Sequence, residues 1–211
     1  DFRKDYSVPF SKPFIPTIGK FGKNWITLIS ASKAFSFPGP RCAISIISPH
    51  LNEKKYSNLK DFCDREQFGH AFSLGGLYVT TSGTSHTAQY ALAKMLDSAT
   101  NNEFNFIKVT SEYGKRAEKV KEIFLKYGFK QVYKKDMDEP VGNGFYLTMS
   151  YPKYNGNDLM LELLRYGIST ITLKSTGSVR HEGLRVGISF IGLDEVPMLE
   201  SKLQKFMEDH K

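Results

Sequence analysis

Ser30-Ala31-Ser32-Lys33-Ala34-Phe35-Ser36-Phe37-Pro38-Gly39-Pro40-Arg41 is the stretch of this 211-residue chain that carries the most distinctive chemistry. Small hydroxyl residues precede Lys33, a Pro-Gly turn follows it, and Arg41 stands eight positions after it. Apolar runs rich in β-branched residues lie on both sides, at residues 25–29 and 41–47, and each predicts a buried strand. We therefore expect the stretch to connect two strands.

The residue types in this connection match two chemical requirements. A lysine that forms a Schiff base must be partly neutral near neutral pH, so it must be desolvated or lie near other positive charge. A phosphate anchor needs hydroxyls, backbone N–H groups and a guanidinium that grips two oxygens. A lysine in such a loop is, however, more often a surface cation. The residues alone leave the function open.

The pattern Ser-x-Ser-Lys-x-Phe-x-x-Pro-Gly-x-Arg resembles the attachment signature for pyridoxal 5'-phosphate (PLP) in class I/II aminotransferases, which have fold type I. The resemblance implies that Lys33 is the catalytic residue and holds PLP as a Schiff base. It also implies that Ser30 and Arg41 bind the cofactor phosphate. Ser32 matches a small-residue position and is a second candidate for phosphate contact. The two residues after Arg41 depart from the family, where many members have a glycine.

A second motif lies far downstream. Glu182-Gly183-Leu184-Arg185-Val186-Gly187-Ile188-Ser189 resembles the family's late strand, whose arginine binds the substrate α-carboxylate. A planar guanidinium recognises a carboxylate through two parallel hydrogen bonds, and the resemblance assigns that role to Arg185. Arg180, five residues earlier, is the competing candidate.

The remaining sequence predicts an α/β chain in two parts. Glycines 75 and 76 predict a break, residues 85–96 predict a helix, and a longer helix is expected from 105 to 127. A smaller α/β unit follows, with strands near 145–149 and 184–190 and a last helix capped by Asp194. The resemblance implies that residues 1–104 are the C-terminal portion of the large PLP-binding domain and that residues 105–211 are the small C-terminal domain.

The resemblance covers essentially all of this chain but only about half of the family's length. The family's aspartate that pairs with the pyridine nitrogen, and the tyrosine three residues after it, have no counterpart here. The chain also opens at Asp1 without a methionine, in an irregular, proline-rich stretch. We therefore expect a fragment of a longer protein that is inactive by itself.

Composition disfavours several other classes of protein. The net charge is +7, but acidic residues interleave with the basic ones and no concentrated basic patch predicts nucleic-acid binding. No apolar run approaches the roughly 20 residues of a membrane span. Cys42 and Cys63 predict two reduced thiols, with neither a disulfide framework nor a metal site. We expect a cytoplasmic protein.

The resemblance implies a transaminase that moves an amino group between an amino acid and a 2-keto acid and that forms a homodimer at full length. Two alternatives stay open. One is another fold-type I PLP reaction, catalysed by a C–S lyase, a decarboxylase or a synthase. The other is a non-catalytic, aminotransferase-like regulatory domain fused to a DNA-binding module.

Overall fold

The computed structural model describes residues 17–136, 138–142 and 144–210, which divide into two compact units. One unit ends at Phe106 and the other begins at Ile107. The assignment of the two parts to the large and small domains of an aminotransferase stays a prediction. Most of the irregular stretch expected at residues 1–24 lies outside the described residues. None of the helices in the described ranges is both long and apolar enough to span a bilayer.

The N-terminal unit combines one β-hairpin with short helices and one longer helix. Its elements in chain order are a 3-10 turn (Ile18–Lys20), β1 (Ile26–Ser30), α1 (Ala31–Ala34), β2 (Ala43–Ile47), α2 (Pro49–Glu53), a second 3-10 turn (Ser57–Leu59), α3 (Lys60–Cys63), α4 (Phe68–His70), a π-helix (Ala71–Tyr78), α5 (Val79–Thr81) and α6 (His86–Thr100).

Strands β1 and β2 pair in antiparallel register, with Ser30 opposite Ala43. Both strands were predicted, but the prediction that they are buried was wrong. Leu28 is 71% exposed and Ile46 is 43% exposed. Helix α6 packs its Ala88 and Leu92 near one end of the hairpin, and this contact leaves other apolar side chains of the two strands in solvent.

The prediction of a chain break at Gly75 and Gly76 was also wrong, because both residues lie inside the π-helix. Close packing explains Gly75. A Cβ atom at this position would lie 2.7 Å from the Cβ of Cys63, a separation that no side chain tolerates. Gly76 has no such neighbour, since the nearest atom to its Cβ position is the Ala71 carbonyl oxygen at 3.9 Å. At position 75, therefore, glycine allows two helices to pack closely and does not form a turn.

The C-terminal unit is a four-stranded antiparallel sheet covered by three helices. Its elements are α7 (Phe106–Lys126), β3 (Lys130–Gln131), β4 (Lys135–Asp136), β5 (Glu139–Pro140), β6 (Tyr146–Ser150), α8 (Gly156–Arg165), β7 (Ile171–Thr172), a 3-10 turn (Lys174–Thr176), β8 (Gly183–Gly187) and α9 (Val196–Asp209). The strand order is β3-β6-β8-β7, and β4 and β5 form a separate small ribbon. The last helix is preceded by Glu195 at its cap position, not by Asp194 as predicted.

The core of this unit follows the two periodicities of its elements. Alternate residues of β6 and β8 face the helices, whose apolar stripes cover them. The largest fully buried side chains from these elements are Met149, Leu184, Leu159, Leu163, Phe124, Val120, Leu203 and Phe206. Gly128, two residues after the end of α7, has φ of +89°, the left-handed conformation that commonly ends a helix.

The two adjacent glycines of the π-helix give a matched pair of variants. We expect Gly75→Ala to destabilise the N-terminal unit by about 1–3 kcal/mol, because the new methyl group overlaps Cys63. Gly76→Ala meets no close atom and should be neutral or stabilising by up to about 1 kcal/mol. Urea unfolding followed by the fluorescence of Trp25, the single tryptophan of the chain, measures both. Equal effects of the two substitutions would contradict the packing argument.

Candidate active site

Backbone hydrogen bonds close the connection between β1 and β2 near the ends of the two strands. The N–H of Ala31 donates to the carbonyl of Cys42 at 3.0 Å, and the N–H of Phe37 donates to the carbonyl of Ala31 at 3.0 Å. Ala31 is completely buried and packs with Cys42, Ala88 and Leu92. These backbone bonds fix the path of the connection, so the side chains along it keep defined positions.

This path brings Arg41 and Ser32 together. The Nη1 atom of Arg41 donates to Ser32 Oγ at 3.2 Å and to the carbonyl oxygen of Pro38 at 2.9 Å. Arg41 has φ of +53°, a left-handed conformation that costs a non-glycine residue about 1–2 kcal/mol. The guanidinium keeps its Nε and Nη2 donors without a hydrogen-bond partner in the part of the chain that the structure describes.

Ser30 and Lys33 lie beside this pair in the chain. Ser30 ends β1 and stands before α1, where its side chain makes no capping hydrogen bond. Lys33 lies on α1 and its side chain is exposed, so the described residues do not supply the desolvation that the sequence led us to expect. The hairpin therefore presents the lysine amine at a surface next to a paired serine and arginine.

Arg185 lies on β8, opposite Thr148 of β6 and Ile171 of β7. Its side chain is half-buried, and its guanidinium carbon lies 4.4 Å from the centre of the Tyr146 ring. Among the described residues it has no hydrogen-bond or ion-pair partner. A cation held by an aromatic face but lacking a counter-ion is well suited to receive an anion.

The competing arginine is already paired. Arg180 donates from Nε to Glu182 Oε1 at 2.7 Å and lies over the ring of Tyr133. The hydrogen bond from Arg180 lowers the pKa of the Glu182 carboxyl below its ordinary value. A carboxylate ligand would have to displace Glu182, so the local geometry favours Arg185 over Arg180 as an anion site.

Arg185 also lines a cavity of about 550 Å³ within the C-terminal unit. The cavity is bounded by the end of β8, by the segment before β7 and by the start of α9. Its lining includes Tyr146, Ile171, Phe190 and Met198. Sequence reasoning identified Arg185 but missed this cavity, because most of its walls come from segments far apart in the chain that carry no motif.

Comparison with known proteins identifies the fold. No family model and no curated protein matches this sequence. Solved structures do match: the aspartate aminotransferase of Thermotoga maritima superimposes with a TM-score of 0.65 at 17% identity, over 93% of this chain and 44% of that one. The chain has part of an aminotransferase fold.

Two further structures place the same fold on this chain. A single mutant of the Thermus thermophilus aspartate aminotransferase gives a TM-score of 0.67 at 16% identity, over 96% of this chain and 46% of that one. The kynurenine aminotransferase of Pyrococcus horikoshii gives a TM-score of 0.61 at 12% identity, over 88% of this chain and 41% of that one. The chain thus spans less than half the length of the aminotransferases it matches, as the sequence resemblance predicted.

A glycine contact positions the strand that carries Arg185. The N–H of Gly156 donates to the carbonyl of His181 at 2.7 Å, and a Cβ at Gly156 would lie 2.7 Å from the carbonyl oxygen of Gly183. We expect Gly156→Ala to destabilise the C-terminal unit by about 1–3 kcal/mol, because backbone atoms on both sides must move.

The control for this prediction is Gly144→Ala, since no atom of the described residues lies within 4 Å of a Cβ there. Urea unfolding followed by far-ultraviolet circular dichroism measures both variants. If Gly156→Ala were as stable as Gly144→Ala, α8 would not be packed against the start of β8 as described.

Proposed function

We propose that this chain is part of a PLP-dependent aminotransferase that transfers an amino group between an amino acid and a 2-keto acid. The observation that carries the proposal is the hydrogen bond between Arg41 and Ser32, one residue from the exposed amine of Lys33. It occurs in a chain that has part of an aminotransferase fold. The proposal concerns the full-length protein, and we expect the 211-residue chain alone to be inactive.

The residues of the hairpin connection fit the cofactor chemically. Arg41 retains two nitrogen donors that are able to grip phosphate oxygens, the Ser32 hydroxyl contacts it, and Ser30 pairs with Ala43 two residues after it. Lys33 supplies the primary amine that an aldehyde requires. When bound, PLP supplies an electron sink for the pair left behind as the substrate loses its Cα proton.

Two side chains act on the substrate in this proposal. The amine of Lys33 would take the proton from the substrate Cα as a general base and would deliver it, as a general acid, to the C4′ carbon of the cofactor. Arg185 grips the α-carboxylate through two parallel hydrogen bonds and so fixes the orientation of the Cα–H bond. Its lack of a counter-ion among the described residues supports this role. Homodimer formation and a cytoplasmic location belong to the same proposal.

The lysine assignment is tested on the full-length protein. Borohydride reduction after incubation with PLP, followed by peptide mapping, should place the cofactor on Lys33. We expect Lys33→Ala to abolish this labelling and Lys94→Ala, which changes an exposed lysine of α6, to leave it unchanged. Labelling of another lysine in the unaltered protein, or full labelling of the Lys33→Ala variant, would rule the assignment out.

The phosphate assignment makes a separate prediction. We expect Arg41→Gln to weaken PLP affinity of the full-length protein by roughly 10- to 100-fold, the size of a lost charge-assisted hydrogen bond. Affinity for pyridoxal, which lacks the phosphate, should change little. Arg65→Gln, an exposed arginine of the same unit, is the matched control. An equal loss for PLP and pyridoxal would show that Arg41 acts on the fold and not on the phosphate.

The reaction itself is tested by product analysis of the full-length protein. Transfer of the amino group to a 2-keto acid supports the proposal. Release of ammonia with pyruvate, or of carbon dioxide, would instead indicate a lyase or a decarboxylase. PLP binding without turnover, together with DNA binding, would indicate the regulatory alternative.

A further inference from the structure

One of the charged side chains that line the cavity has no hydrogen-bond partner among the described residues. Three charged side chains of the described residues line it: Arg185, Glu195 and Lys202. Glu195 accepts a hydrogen bond from the N–H of Gly192 at 2.8 Å, and Lys202 donates to the carbonyl of Gly167 at 3.1 Å. Of these three, only Arg185 has no such partner in the described ranges. The cavity therefore offers one strong anchor for an anion.

The walls around this anchor are largely apolar and are open to solvent. Ile171 is 43% exposed, Met198 is 55% exposed, and Phe190 is 96% exposed. Ile168, Ile191 and Leu199 complete the apolar lining. Apolar side chains gathered around one cavity, instead of scattered singly over the surface, are typical of a ligand site.

The charges select against a second carboxylate on the ligand. The lining carries two cations, Arg185 and Lys202, and one carboxylate, Glu195, so these three charges sum to +1 and a single carboxylate balances them. A second carboxylate would therefore give the cavity an excess of negative charge and would lose its solvation as well. An apolar group would instead cover the exposed faces of Ile171, Met198 and Phe190.

We propose that this cavity binds a monocarboxylate with a large apolar, preferably aromatic, group. Arg185 grips the carboxylate, and Ile171, Met198 and Phe190 pack against the apolar group. That such molecules are the amino-acid substrates rests on the proposed function. It follows that the enzyme would favour amino acids with apolar side chains over acidic ones, although aspartate aminotransferases share its fold.

The 211-residue chain is sufficient for the first test, because the cavity lies wholly within the C-terminal unit. Isothermal titration calorimetry without PLP compares the affinity of the chain for 3-phenylpropionate with its affinity for succinate. We expect 3-phenylpropionate to bind at least tenfold more tightly. Succinate binding as tightly or more tightly, or the absence of any 3-phenylpropionate binding, would overturn the proposal.

Two substitutions test separately the contact of Arg185 with the carboxylate and the contact of Met198 with the apolar group. Arg185→Gln should weaken 3-phenylpropionate binding at least tenfold, whereas Arg165→Gln, at an arginine of α8 that is 76% exposed and paired with Glu162, should not change it. Met198→Gln keeps a helix-forming residue at an exposed position of α9. It should lower the affinity for 3-phenylpropionate several-fold and leave the affinity for propionate unchanged.

Circular dichroism confirms that each variant is folded, and Arg185→Lys replaces Arg185→Gln if the latter fails that check. An unchanged affinity for 3-phenylpropionate in the folded Arg185 variant would refute the carboxylate contact. An equal loss of affinity for propionate and 3-phenylpropionate in Met198→Gln would refute the apolar contact. These titrations contain no PLP, so a wrong assignment of Lys33 would leave them unaffected. Conversely, failure of the titrations would leave the labelling of Lys33 intact.

Discussion

The antiparallel pairing of β6 with β8 decides which side chains of the C-terminal unit enter the core. Leu147 pairs with Val186, and Met149 pairs with Leu184, so one face of both strands is apolar and buried under the helices. Arg185 lies between two buried residues of β8 and must therefore face the other way. The same pairing that builds the core thus keeps the guanidinium out of it and places it against the ring of Tyr146.

A comparable constraint shapes the hairpin of the N-terminal unit. Because Ser30 pairs with Ala43, the chain between them must return to its starting point. The return brings Ser32 and Arg41 within hydrogen-bond distance, although they are nine residues apart. Lys33 is carried along on the single turn of α1. In both units, strand register positions the candidate site residues, while buried helix contacts hold the register.

Prediction from sequence succeeded where a local pattern has a single physical solution. The long helix was expected at 105–127 and extends from Phe106 to Lys126, with Gly128 in the left-handed conformation behind it. It failed where the outcome depends on neighbours. The β-rich runs predicted buried strands, but burial depends on what covers a strand, and Leu28 is largely exposed. Gly75 was interpreted as a break because its partner, Cys63, lies twelve residues away in another helix.

By itself, the sequence determined the chemical groups and their order: a lysine, hydroxyls and an arginine on one strand connection, and a second arginine on a late strand. It also predicted a match to about half of an aminotransferase. Only the tertiary structure decided that Arg41 contacts Ser32 and that Arg180 is paired with Glu182, whereas Arg185 has no hydrogen-bond or ion-pair partner among the described residues. It also decided that a largely apolar cavity adjoins Arg185. The reason is physical: spacing along a chain fixes which residues share a strand or helix face, whereas partners from distant segments become defined only when those segments pack together.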